Sequence, residues 1–152
     1  MKLSFTGAPE VAAPLAVTWD RLMDPSFVSA SAPGVEKVEA IDPEHFKVIV
    51  AFGVGAIKVR FHLDVELFDV QAPSHAKMRA RGKAPGSTLD VTATIDLSES
   101  APGMTRMAWR ADSDVGGTVA SVGARLLEGT AKKLTEQFWG DFARRVGAHA
   151  AA

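Results

Sequence analysis

The most regular pattern in the chain is an alternation of apolar and polar residues between positions 46 and 67. Apolar side chains recur at every second position from Phe46 to Phe52, and again from Ile57 to Leu67. Two residues is the period of a β-strand, so this pattern predicts long antiparallel strands with one buried face and one charged, solvated face. The Gly53-Val54-Gly55 segment between the two stretches predicts a bend.

The alternation continues as far as residue 111 and is interrupted by turn signals. Ala72-Pro73, Pro85-Gly86 and Pro102-Gly103 divide it, and such pairs are strong turn formers. Each intervening stretch keeps a single apolar face. Residues 35–112 therefore predict an antiparallel meander of about six strands.

The remainder of the chain shows helical spacing. Apolar residues recur every three or four positions at the C-terminal end, which predicts one helix from Thr118 to Val146 with Thr118 as a candidate N-cap. Near the N-terminus, Leu3–Val11 predicts a first strand. Two short helices should follow it, one from Pro14 to Met23 and one over residues 26–32.

This order of elements predicts an α+β protein. We expect a curved antiparallel sheet of about six to seven strands, a long C-terminal helix lying across it, and two short helices after strand one. We assign residues 1–147 to a single domain and residues 148–152 to a frayed C-terminal tail.

Apolar side chains from the sheet and the long helix should face each other across the interior. They either fill that space as an ordinary core or line an apolar cavity, and the sequence leaves both interpretations open. Methionines suit irregular apolar volumes, and Trp109 could stack on a bound ring or serve as a core indole. The predicted lining consists of Phe27, Val28, Val50, Phe52, Phe61, Leu63, Met78, Met107, Trp109, Val122 and Leu126.

Composition narrows the function classes by exclusion. The chain has 152 residues, which suits one domain at about 100–200 residues per domain. It carries 17 Lys and Arg against 18 Asp and Glu, and this balance argues against nucleic acid as the partner. The absence of cysteine removes thiol catalysis, disulfides and zinc-finger sites. No apolar stretch approaches the ~20 residues of a membrane span, so we expect a cytoplasmic protein.

The sequence predicts no catalytic residues, no metal ligands and no intrinsic cofactor. His62 and Asp64 share a strand, but both lie on its charged side and should face water. The serines show no pattern with a histidine and an acid, and Gly53-Val54-Gly55 lacks the third glycine of a dinucleotide loop.

The long helix carries Arg125, Lys132 and Lys133 on its polar side. Acidic residues are interspersed with them, so a solvated, salt-bridged face is one interpretation. The functional interpretation is a surface that contacts an acidic partner or an anionic membrane.

Several motifs resemble a known family, and the resemblance covers nearly the whole chain. They are Val11-Ala12-Ala13-Pro14, Trp19, Asp24-Pro25, Ala32-Pro33-Gly34, Gly53-Val54-Gly55-Ala56-Ile57-Lys58, Gly82-Lys83, Asp114-Val115-Gly116-Gly117, Gly123-Ala124-Arg125-Leu126-Leu127, Lys132-Lys133-Leu134 and Phe138-Trp139. Their order and spacing resemble the carbon monoxide dehydrogenase CoxG (CoxG-like) family of the START-like helix-grip (SRPBCC) superfamily.

The resemblance implies a helix-grip fold with an elongated hydrophobic cavity. It also implies an accessory role for a molybdenum-containing carbon monoxide dehydrogenase or a related molybdenum hydroxylase, peripheral contact with the inner face of the membrane, and handling of a lipophilic quinone. We therefore expect a non-enzymatic protein that binds a quinone- or lipid-like molecule. Two alternatives remain: a cyclase- or dehydratase-type enzyme acting on a hydrophobic polyketide-like substrate, and a ligand-free assembly adaptor.

Overall fold

The computed structural model describes residues 1–151 and shows one antiparallel sheet, in which seven strands follow the order β1-β8-β7-β6-β5-β4-β3. A short eighth strand, β2, pairs with β8 beyond the end of β1. The α+β architecture and the meander predicted from the sequence are confirmed. The strands are β1 Lys2–Gly7, β2 Glu10–Val11, β3 Val35–Asp42, β4 His45–Val54, β5 Ile57–Gln71, β6 His75–Ala84, β7 Ser87–Ala101 and β8 Met104–Gly117.

The first strand is split where the sequence predicted one continuous strand from Leu3 to Val11. β1 ends at Gly7, and β2 resumes at Glu10. Pro9 lies in the gap and has no N–H to donate to a ladder. Its carbonyl accepts a hydrogen bond of 3.0 Å from the Met107 amide, which keeps the two pieces on the same neighbour, β8.

The faces of the sheet follow the alternation predicted from the sequence. In β5 the buried positions include Val59, Phe61 and Val65, whereas Lys58 and Arg60 are exposed on the other face. The strand therefore separates a dry concave face from a charged convex face, as its period of two requires.

Two short helices close one end of the concave face. α1 spans Leu15–Leu22, and α2 spans Pro25–Ser29 rather than the predicted 26–32. The Asp24 carboxylate caps α2 by accepting from the amides of Ser26 and Phe27. Pro14 lies at the N-cap of α1, one position before the first turn in which the sequence placed it.

The C-terminal helix, α3, spans Ala124–Ala151 and is about 42 Å long at ~1.5 Å per residue. The predicted start at Thr118 is wrong, because a separate 3-10 helix occupies Thr118–Val122 and Gly123 interrupts the chain at φ 106°. Side chains rarely adopt that conformation, whereas glycine adopts it freely. The N-cap of the 3-10 helix is Gly117, so Thr118 is not the cap of α3.

The far end of α3 also differs from the prediction. Residues 148–151, expected to be a frayed tail, form its last turn, and Ala152 lies outside the described residues. His149 in this turn hydrogen-bonds to Arg21 of α1 and contacts the edge of Phe27, with ring centroids 6.2 Å apart. Arg145 donates to the Phe27 carbonyl at 2.7 Å and lies over the Phe27 ring. These contacts hold the end of the helix against α1 and α2.

Aromatic side chains fill the interior beneath the C-terminal half of α3. Trp109 of β8 stacks on Trp139 of α3 at a centroid distance of 5.6 Å, and Trp139 meets Phe142 edge to face at 6.2 Å. Met107, Phe142 and Val146 have no exposed surface. This half of the molecule is a closely packed core.

We predict that Phe142→Ala lowers the free energy of unfolding by about 3–5 kcal/mol, because it removes a fully buried ring and leaves a void. Urea denaturation followed by circular dichroism measures the change. Phe68→Ala, at a ring that is only partly buried, is the matched control and should cost clearly less. Equal losses in the two variants would contradict the assignment of the main core to this half.

Candidate ligand cavity

The interior beneath the first three turns of α3 is not filled. A cavity of about 170 Å³ lies between this part of the helix and the concave face of the sheet. Strands β1, β4, β5, β7 and β8 and the 3-10 helix contribute the other walls. The lining consists of Leu3, Phe52, Val54, Phe61, Leu89, Val91, Ser113, Val115, Val119, Leu127, Thr130, Ala131, Leu134 and Thr135.

The cavity arises from the side chains on one face of α3. Leu127, Ala131 and Leu134 follow each other at steps of four and three, so they point in the same direction. The two leucines reach the sheet, but the methyl group of Ala131 between them does not extend far enough to fill the space. In the C-terminal half of the helix, Trp139 and Phe142 supply the volume that Ala131 lacks.

Three hydroxyl groups are the polar side-chain groups on the cavity wall, and all other lining residues are apolar. Thr135 uses its hydroxyl within the helix, donating to the Ala131 carbonyl at 2.7 Å. Among residues 1–151, Ser113 and Thr130 make no side-chain hydrogen bond. These two hydroxyls are therefore available to a carbonyl or hydroxyl group of a guest.

Two of the residues predicted from the sequence lie on the cavity wall. Phe52 of β4 and Phe61 of β5 stack with ring centroids 5.7 Å apart and planes inclined by 19°. Both belong to the cluster that includes Val54 and Leu127. They form the aromatic part of the wall.

Most of the other predicted lining residues pack elsewhere. Trp109 has its ring against Trp139 and is a core indole rather than a free stacking surface. Val50 and Leu63 lie partly buried in the sheet core beside the cavity. Phe27, Val28, Met78 and Met107 belong with Trp109 to the core beneath the C-terminal half of α3.

Val122 and Leu126 lie on the outer side of the molecule instead of facing the sheet. They line a surface groove where the 3-10 helix meets α3, and Leu126 is 45% exposed. Leu127, its neighbour, is the residue that turns inward. Two adjacent positions on a helix point about 100° apart, so only one of the two leucines can face the sheet.

The sequence interpretation missed the rest of the wall. The strand alternation did signal Leu89, Val91 and Val115, since each lies on the apolar side of its strand. Ser113 shares that side but is polar, and Ala131 is small, so neither stood out as a lining residue. A search for gaps in the apolar series, rather than for its bulkiest members, would have found both.

The histidines lie away from the cavity. His62 is exposed on the convex face, as predicted, whereas His45 and His75 form ion pairs that the sequence did not indicate. His75 Nδ1 lies 2.6 Å from Asp96, and its Nε2 lies 3.2 Å from Asp69. The hydrogen bond to Asp96 is the main cause that raises the pKa of His75 above its usual 6.5, with Asp69 adding to it.

The His75 pairs should make stability depend on pH. A pKa that is raised in the folded state means that the stabilisation is complete below about pH 6.5 and is lost as the pH rises through the folded-state value. The difference in free energy of unfolding between the unmodified chain and His75→Gln should therefore be largest in mildly acidic buffer and shrink in alkaline buffer.

Urea denaturation at a series of pH values measures this difference. In a background of Asp69→Asn with Asp96→Asn, the pH dependence of the His75→Gln effect should disappear, because the partners of the imidazolium are gone. A difference that stays constant with pH, or that grows as the pH rises, would show that the ion pairs do not stabilise the fold.

Within residues 1–151, none of the helices combines the length and the apolar character needed to cross a bilayer. α3 is long enough, but charged residues are distributed along its exposed side.

An antiparallel sheet that grips a long C-terminal helix around an apolar cavity defines the START-like helix-grip class. A START superfamily protein from Mycobacterium smegmatis superposes with a TM-score of 0.69 at 13% identity, over 94% of this chain and 96% of the other. The Zhui aromatase/cyclase from Streptomyces sp. R1128 gives a TM-score of 0.68 at 15% identity, over 96% and 94%. At these identities the likeness concerns the fold alone.

A more specific likeness identifies the family within this class. The family model for the carbon monoxide dehydrogenase CoxG subunit matches residues 7–147, and the chain belongs to that family. A conserved protein from Geobacillus kaustophilus superposes with a TM-score of 0.86 at 27% identity, over 96% of both chains. No curated protein sequence matches this chain significantly.

Proposed function

We propose that this protein binds a lipophilic, quinone- or lipid-like small molecule in the cavity beneath the first turns of α3, and that it serves as an accessory protein to a molybdenum-containing carbon monoxide dehydrogenase-type oxidoreductase. The observation that carries the binding proposal is the apolar cavity itself, whose polar side-chain groups are hydroxyls. Membership of the CoxG family supports the accessory role.

The size of the cavity determines which part of a guest it holds. Its volume of about 170 Å³ is close to the roughly 150 Å³ of an engineered apolar cavity that accommodates one benzene molecule. It therefore suits a single ring or one short isoprenoid unit. A longer tail would leave through the gap between α3 and the sheet, where Thr130 and Phe52 lie.

Apolar contact supplies the affinity in this proposal. Each buried CH₂ group contributes about 0.8 kcal/mol, so a five-carbon unit contributes about 3–4 kcal/mol before ordering costs. The hydroxyls of Ser113 and Thr130 would then select guests with an oxygen acceptor, such as a quinone carbonyl, over plain hydrocarbons.

Binding explains this wall better than catalysis does. General acid–base chemistry needs an ionisable group within reach of the reacting atoms, and the lining contains no Asp, Glu, His, Lys or Arg. The likeness to an aromatase/cyclase is a likeness of fold and places no cyclase residues on this wall.

Filling the cavity should abolish binding. We expect Ala131→Phe to weaken binding of menadione, a two-ring quinone without a tail, at least tenfold, because the new ring occupies the space between Leu127 and Leu134. Isothermal titration calorimetry measures this, and mass spectrometry of a solvent extract identifies any copurifying lipophile. The chain has no cysteine that could react with the quinone.

Ala148→Phe, at an exposed position of the same helix, is the matched control and should bind menadione normally. Ala131→Leu adds less bulk and should give an intermediate loss if Ala131→Phe proves too large to fold. Unchanged binding in both Ala131 variants, or a purified protein that neither carries nor binds any lipophile, would contradict the proposal.

The Ser113 hydroxyl should contribute to selectivity. Ser113→Ala removes one hydrogen bond of about 0.5–1.5 kcal/mol, so menadione should bind roughly two- to tenfold more weakly, while toluene, which has no oxygen acceptor, should bind as before. Calorimetric titration with the two compounds makes the comparison. An equal loss for both would show that Ser113 acts only through packing.

The accessory role is tested separately. The chain should co-elute with a purified molybdenum-containing carbon monoxide dehydrogenase in size-exclusion chromatography. Quinone binding without co-elution would support the carrier function and contradict the choice of partner.

A further inference from the structure

Positive charge is concentrated at one end of the molecule. The β4–β5 and β6–β7 turns, the start of β1 and the start of α3 all lie at this end, since Gly55 adjoins Leu126 and Gly86 adjoins Thr118. We call it the basic end and define it by six exposed cations: Lys2, Lys58, Lys83, Arg125, Lys132 and Lys133.

The opposite end of the sheet carries the opposite charge. Its turns join β3 to β4, β5 to β6 and β7 to β8, and they bear Asp42, Glu44, Asp69, Asp96 and Glu99. The net charge of -1 therefore conceals a strong separation of charge between the two ends. Such a separation orients a protein in an external field.

The cations of the basic end are not engaged in ion pairs. In the described part of the chain, none of the six has a carboxylate within 4.0 Å, whereas Arg60, Lys77 and Arg79 elsewhere on the sheet each do. Asp114, an acid near this end, is paired with the N-terminal amine at 3.4 Å. The positive potential of this end is therefore available to an external partner.

The basic end also exposes an aliphatic side chain next to the cavity. Leu126 is 45% exposed and lies against the β4–β5 turn, where its Cδ2 would be 3.0 Å from a Cβ on Gly55. The groove that it shares with Arg125 and Lys133 includes Thr130, which also lines the inner cavity. The gap that leads toward the cavity therefore opens among these cations.

The chemistry of this surface favours a lipid partner over a protein partner. Five of its six cations are lysines, which protein–protein interfaces disfavour relative to arginine and aromatic residues. Lysines around an exposed aliphatic side chain suit a bilayer, because the ammonium groups approach anionic headgroups while the leucine enters the acyl boundary.

We propose that the basic end docks onto an anionic phospholipid bilayer, with Leu126 inserted at the interface and the mouth of the cavity facing the lipid. The docking does not depend on what the cavity holds. Only its use, the exchange of a lipophile between bilayer and cavity, rests on the function proposed above.

Vesicle co-sedimentation tests the docking. The protein should bind phosphatidylcholine vesicles that contain about 30% phosphatidylglycerol, should not bind pure phosphatidylcholine, and should dissociate at about 0.5 M salt. The triple variant Lys58→Glu, Lys83→Glu, Arg125→Glu should bind at least a hundredfold more weakly, at about fivefold or more per cation. Leu126→Ser should weaken binding to anionic vesicles further than its unchanged charge would suggest.

The matched control reverses three exposed cations outside the basic end: Lys37→Glu, Lys47→Glu, Arg106→Glu. It has the same net charge as the triple variant and should retain most of the binding. Loss in both variants, absence of binding to anionic vesicles at low salt, or binding to an acidic protein but not to vesicles would overturn the proposal. Menadione titration of the same samples keeps the two proposals separate, because a variant that loses vesicles but retains menadione has lost docking alone.

Discussion

The structure depends on how a single helix covers the concave face of a large antiparallel sheet. Within residues 1–151 no second layer lies over α3, so its inward side chains alone must supply the volume between helix and sheet. Trp139 and Phe142 do so in the C-terminal half, where they pack against Trp109. Ala131 does not do so in the N-terminal half, and the cavity results. The rigid half fixes the position of the helix over the open half.

The same gradient along the helix separates stability from function. The aromatic half is anchored further by Arg145 and His149, which hold α2 and α1 against the last turns of α3. The open half has the cavity inside it and the unpaired cations with Leu126 outside it. A guest-binding site and a docking surface at one end, remote from the main core, can vary without loss of the fold.

The sequence predicted the strands well because a period of two leaves little choice of face. Phe61 had to be buried if Arg60 was solvated, and both are as expected. The helix gave a weaker constraint. Leu126 and Leu127 are adjacent and equally apolar, and the local pattern does not show which of them faces the sheet. Gly123, which ends the 3-10 helix, and the packing of Trp139 set the rotation of α3 and turned Leu126 outward.

By itself the amino-acid sequence determined the fold class, the family likeness, the two faces of the sheet and the absence of thiol chemistry, because these follow from local periodicity and residue type. Only the tertiary structure decided where the interior stays open, which hydroxyls face it, and that the cations gather at one end. Those properties arise from differences in side-chain volume and position between residues distant in sequence, such as Ser113 and Ala131, and no local pattern records them.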